Sequence, residues 1–239
     1  MRKTVAIVPF GNIDHPEIEG DDLFHQAAVM ARLDKKKRFV GWYAINFAAM
    51  LTEDVVAVVP NGNGLGTQTL KELLNRFCEP FFIPNEVQSV HCSVTSPTLT
   101  QQVQDAIALH PEADDFVLVM PDQLLEVSSS TLMMFRNGAV VALLAPTVNA
   151  KKAPHSEKKQ IYVAPVEASG ADQAKEVMSY EQAAELGTLE IFKGVVSAVR
   201  FDAYDLKLAL DAGKTVEEHT VTAIKNQAVG KVDARQGFY

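Results

Sequence analysis

Asp115-Phe116-Val117-Leu118-Val119-Met120-Pro121-Asp122-Gln123 is the stretch on which the reading of this chain turns. Five apolar residues follow one acid without polar alternation, and Pro-Asp ends the run. A strand buried on both faces reads this way, and such strands belong to parallel sheets covered by helices. Residues 5–8 (Val-Ala-Ile-Val) and 54–59 (Asp-Val-Val-Ala-Val-Val) have the same texture, and they stop at Pro9-Phe10-Gly11 and Pro60-Asn61-Gly62. In a sheet of this kind ligands bind beyond the carboxyl ends of the strands, so these three stops are the places to look for chemistry.

Working outward, segments of helical composition separate the strands. Helices are expected over 23–33, 39–51, 67–77, 98–109 and 130–136, with further short strands over 81–83 and 139–145. Leu70, Leu73, Leu74 and Phe77 fall on one helical face. Asn137-Gly138 is a favoured helix stop. Strand and helix thus alternate up to about residue 146, which predicts an α/β fold: a mostly parallel central sheet with helices on both faces. Beyond Thr147 the texture changes. Lys151-Lys152 and Glu157-Lys158-Lys159 bracket a polar connection. A strand is expected over 161–166, a helix over 179–186 with Ser179 as N-cap, strand-like runs over 189–201, and helices over 203–212 and 216–228. One domain over 1–239 is expected, with two as the alternative given the length. Residues 1–147 form its first half and 148–239 its second.

Composition narrows the function. Twenty-two Lys and Arg against 30 Asp and Glu leave a net charge of −8, which argues against wholesale wrapping of nucleic acid but not against a local phosphate pocket. Cys78 and Cys92 can form neither a disulfide framework nor a Cys-rich zinc site. No apolar run approaches the roughly 18 residues of a membrane span. Pro9, Asn12 and Asp14 interrupt the first apolar run before it could act as a signal segment. The expectation is a soluble cytoplasmic protein. The apolar 42–51 segment fits either a core or an interface between identical copies.

Asp122 is the most informative carboxylate, because it stands where the backbone leaves an apolar strand. There it could hold Mg²⁺ against a substrate phosphate; the plainer reading is a turn residue. Gly62-Asn63-Gly64-Leu65-Gly66-Thr67 follows a strand, but its spacing is not that of a dinucleotide loop, and a Gly-rich turn accounts for it. Lys35-Lys36-Lys37-Arg38 is either a solvated turn or a triphosphate contact. The acids Asp14, Glu17, Glu19, Asp21 and Asp22 read as a solvated loop. The six histidines show no HxxxH or HExxH spacing, and no GxSxG nucleophile elbow is present.

Taken in order, these motifs resemble the sugar-nucleotidyltransferase family, the nucleoside-diphosphate-sugar pyrophosphorylases with a GT-A-like fold. The resemblance runs through DVVAVVP, DFVLVMPDQLLE, LMMFRNGAVVALLAPTV at 132–148 and Glu190-Ile191-Phe192-Lys193-Gly194-Val195-Val196, and reaches the tail from Glu217. It implies transfer of a nucleotidyl group from an NTP to a sugar phosphate, with Mg²⁺ as cofactor. On this resemblance Asp122 is the metal ligand. Lys35, Lys36 and Lys37 all stand where a phosphate-contacting Lys belongs, and the residues alone do not choose among them. Lys37 is assigned with Asp122 to catalysis, and Lys35 and Lys36 to the nucleotide together with Pro9, Phe10, Gly11 and Thr98. Glu190, Lys193 and Gly194 are assigned to the sugar.

The first loop, Pro9 to Asp14, lacks the family's Gly pair and Arg. Asp202 and Asp233 are the carboxylates left to stand for a second metal ligand. Two other functions therefore stay open. One is a nucleotide- or sugar-nucleotide-binding protein that keeps the fold without the chemistry. The other is a GT-A glycosyltransferase, although Gln123 and Leu124 after Asp122 make no Asp-x-Asp.

Overall fold

The apolar runs that stand out in the sequence are strands, and their burial explains their composition. Val5, Ala6, Ile7 and Val8 are each at most 1% exposed although their side chains alternate between the two faces of a strand. Both faces must therefore be covered. The structure, a computed structural model, describes residues 2–10, 40–52, 54–59, 87–91, 98–121, 127–146, 161–163, 177–179, 194–225 and 229–231. The expected helices over 23–33 and 67–77 and the strand over 81–83 lie outside them. The chain divides into two compact units, residues 1–123 and 124–238.

In the first unit β1 (Thr4–Pro9), β2 (Asp54–Val59), β3 (Val87–His91) and β4 (Asp115–Val119) are parallel and lie in the order β3-β2-β1-β4. The helix α1 (Val40–Leu51) lies between β1 and β2 in the chain, and α2 (Leu99–Leu109) between β3 and β4. The strand path steps one way from β1 to β3 and then returns across β1 to reach β4. Because crossovers between parallel strands are right-handed, that reversal puts α1 and α2 on opposite faces. Ala44, Ile45, Phe47, Ala48 and Leu51 of α1 are buried, following the helical period, so the apolar segment around them serves the core. On α2 the buried stripe is Gln102, Val103 and Ala106.

The second unit mixes strand directions. β5 (Ala142–Pro146) is antiparallel to β8 (Gly194–Asp202) and parallel to β9 (Val229–Lys231). β6 (Ile161–Val163) is antiparallel to both β7 (Val177–Ser179) and β8. The helices are α3 (Ser129–Arg136), α4 (Ala203–Asp211) and α5 (Val216–Lys225). Each has a local reason to start. Ser128 caps α3 by accepting from the Thr131 N–H, and Asp202 caps α4 by accepting from the N–H groups of Tyr204 and Asp205. At the head of α5, Thr215 N donates to Glu218 Oε2 at 2.8 Å and Glu218 N donates to Thr215 Oγ1 at 3.1 Å, a reciprocal capping box.

Two expectations need correcting. The strand expected from 139 starts at Ala142, because the preceding residues finish α3: Gly138 N donates to Phe135 O and Ala139 N to Met134 O, with Gly138 at φ 74°. Ser179, expected as an N-cap, is the last residue of β7; the helix it was to cap lies outside the described residues.

Candidate functional site

The strand order β3-β2-β1-β4 has one reversal, at β1, and parallel sheets bind ligands where the order reverses, beyond the carboxyl ends. Here that place lies beyond the ends of β1 and β4. The two strands run side by side in the register Ile7↔Leu118. Past β1, Phe10 N still donates to Val58 O of β2 at 2.8 Å, while the Phe10 ring is 2% exposed. Whatever Phe10 offers a ligand therefore comes from its main chain. Past β4, Met120 is buried and Pro121 is half-buried. Gly11 and Asp122, the next residues on each path, lie outside the described residues, as do Lys35, Lys36 and Lys37. Thr98 is at the same edge, since α2 runs back from the end of β3 to the start of β4. Its hydroxyl oxygen accepts from Gln101 N at 3.1 Å and so caps α2.

The amino edge of the same sheet is built differently. Lys3 Nζ lies 2.6 Å from Glu112 Oε1 and 3.5 Å from Asp54 Oδ2. Lys3 N donates to Asp114 Oδ2 at 2.7 Å, and Lys3 O accepts from the N–H groups of Asp114 and Asp115. Arg2 pairs with the buried Asp115 at 3.1 Å. His110, buried at the end of α2, places Nε2 2.8 Å from Gln88 Oε1 and donates from Nδ1 to Glu112 Oε1 at 3.3 Å. The hydrogen bond from Lys3 holds Glu112 down at about 2, helped by a backbone hydrogen bond, and the same contact with Glu112 raises Lys3. Thr52 adds a stitch by donating to Thr4 O and accepting from Asp54 N. The charged groups at this edge bind one another, which suits a structural rim.

In the second unit Gly194 opens β8, opposite Pro146 of β5 and Val163 of β6. Its backbone is thus flanked on both sides by strands. Glu190, Lys193 and Asp233 lie outside the described residues. Asp202 is described, and its Oδ1 accepts from Tyr204 N at 3.0 Å and Asp205 N at 3.3 Å. That carboxylate caps a helix. Sequence reasoning passed over Arg200, whose Nη1 donates to Arg136 O at 2.8 Å and Phe135 O at 3.4 Å and so closes the carbonyl end of α3. It passed over the amino-edge network as well. The signal available for the latter was the spacing of Glu112, Asp114 and Asp115 immediately before a buried strand, with Arg2 and Lys3 before another. Among the described residues no three His, Cys, Asp or Glu side chains gather as a metal-binding group, and no helix is long and apolar enough to cross a membrane.

Solved structures give the geometry a wider setting. A UDP-glucose pyrophosphorylase from Acinetobacter baumanii superposes with a TM-score of 0.60 at 15% identity, over 98% of this chain and 87% of that one. A glucose-1-phosphate thymidylyltransferase from Bacillus anthracis gives 0.61 at 9% identity, over 98% and 88%. The fold is that of the sugar nucleotidyltransferases. A UDP-glucose pyrophosphorylase solved with UDP-glucose gives 0.57 at 13% identity, over 98% of this chain and 90% of that one. No family model matches the chain, and no curated protein matches it. The nucleotidyltransferase fold thus spans nearly the whole chain at identities that carry architecture alone.

Proposed function

We propose that this chain transfers a nucleotidyl group from an NTP to a sugar phosphate, using Mg²⁺. The observation that supports this most is the reversal of strand order at β1, with Asp122 three residues past the end of β4 in the sequence and Pro9-Phe10-Gly11 at the end of β1. The names of the proteins that share the fold agree with it. In the proposed reaction a phosphate oxygen of the sugar phosphate attacks the α-phosphorus of the NTP in line, and the bond to the bridging oxygen of pyrophosphate breaks. Main-chain groups from Pro9 to Gly11 hold the nucleotide close, Gly11 being small enough for near approach. A Lys of the 35–37 cluster, with Lys37 as the first choice, draws charge from the triphosphate. Thr98 lies at the same edge and contributes through the head of its helix. Glu190, Lys193 and Gly194 are the residues assigned to the sugar.

The donor chemistry at the end of β4 fits Mg²⁺. This ion takes oxygen ligands, often one or two carboxylates together with substrate phosphates, and Asp122 provides a carboxylate. When bound, Mg²⁺ would neutralise charge on the transferring phosphoryl group.

Pyrophosphate release with a panel of NTPs and hexose 1-phosphates tests the proposal. At least one pair is expected to turn over with Mg²⁺, and Asp122→Ala is expected to reduce that rate on the order of a hundredfold or more. Nucleotide binding by calorimetry without turnover of any pair would instead support a binding protein that keeps the fold. Unchanged Mg²⁺-dependent binding in Asp122→Ala would overturn the assignment of the metal ligand.

A further inference from the structure

We draw no further inference here: the strongest candidate, the exposed apolar pair Tyr204 and Leu208 one turn apart on α4, is an unpartnered face, and nothing in the structure shows what covers it.

Discussion

Glu112 joins two side chains that the sequence keeps far apart, Lys3 and His110, and its acidity records that. With its pKa lowered from 4.5 to about 2, it binds a proton more weakly in the folded chain than in the unfolded one. Its contribution to stability is therefore complete above about 4.5 and is lost as pH falls through about 2. Glu112→Gln should be less stable than the parent at neutral pH, and the gap should close between those two values. Urea unfolding at a series of pH values measures it, and a gap independent of pH would remove the ion pair as its cause. His219 of α5 works in the same direction at higher pH. Burial, with the Phe201 ring 5.3 Å away, lowers its pKa from 6.5; Asp205 opposes the shift and Lys214 adds to it. The neutral ring is the form that folding favours. Stability in the second unit should be full above about 6.5 and should erode as pH falls below it. His219→Gln should flatten that slope; an unchanged slope would assign it to other groups.

Helix ends are the parts of each element whose substitutions can be predicted most directly. Gly138 and Gly213 sit at φ 74° and 79°, each just past a helix, and their N–H groups bond back to Phe135 O and Leu210 O. A Cβ at either position would meet nothing within 4 Å, so the cost of a side chain is backbone strain alone. Gly138→Ala and Gly213→Ala should each lose about 1–2 kcal/mol of stability, read by chemical denaturation. Asp202 separates two roles that the sequence leaves open. As the cap of α4 it should tolerate Asn and resist Ala: Asp202→Asn should hold stability while Asp202→Ala loses about 1 kcal/mol. A loss of Mg²⁺-dependent binding in Asp202→Asn, with stability intact, would return the residue to the metal. The elements legible in the sequence were those whose surroundings are uniform. β1, β2 and β4 are apolar along their length because helices cover both faces, so their composition announces them. β3, Val-Gln-Ser-Val-His, has no such run: among the described residues its one strand partner is β2, and Gln88 is exposed. Its pairing is settled by its neighbour rather than by its own composition. The false start of β5 has a related cause, because Val140 and Val141 look like strand but follow the turn that ends α3.

At the scale of the molecule, the proposed function divides the work between the two edges of the first unit's sheet, and that division can be tested. The amino edge is closed by pairs among Arg2, Lys3, Asp54, Glu112, Asp114 and Asp115, which join the start of β1 to that of β4. At the carboxyl edge the chain leaves β1 and β4 beside the reversal of strand order, the position where parallel sheets bind ligands. The sequence made Asp122 conspicuous because it ends an apolar run, whereas the amino-edge partners of Lys3, Asp114 and Glu112, stand more than a hundred positions away, so the charges before each strand do not show that they pair. Folding needs the first edge, and the proposed chemistry needs the second. Asp114→Ala removes the acceptor of the Lys3 N–H and should cost about 1 kcal/mol, or roughly 2–4 °C in Tm for a chain of this size. Turnover per folded molecule should stay at the parent value. Under the proposed function Asp122→Ala should do the reverse, with nucleotide binding falling while Tm stays near the parent value. Thermal melts beside calorimetric titration of an NTP with Mg²⁺ read both effects on the same preparations. If Asp114→Ala weakens nucleotide binding as much as Asp122→Ala does, the two edges are not separate, and the ligand site must be sought away from the reversal at β1.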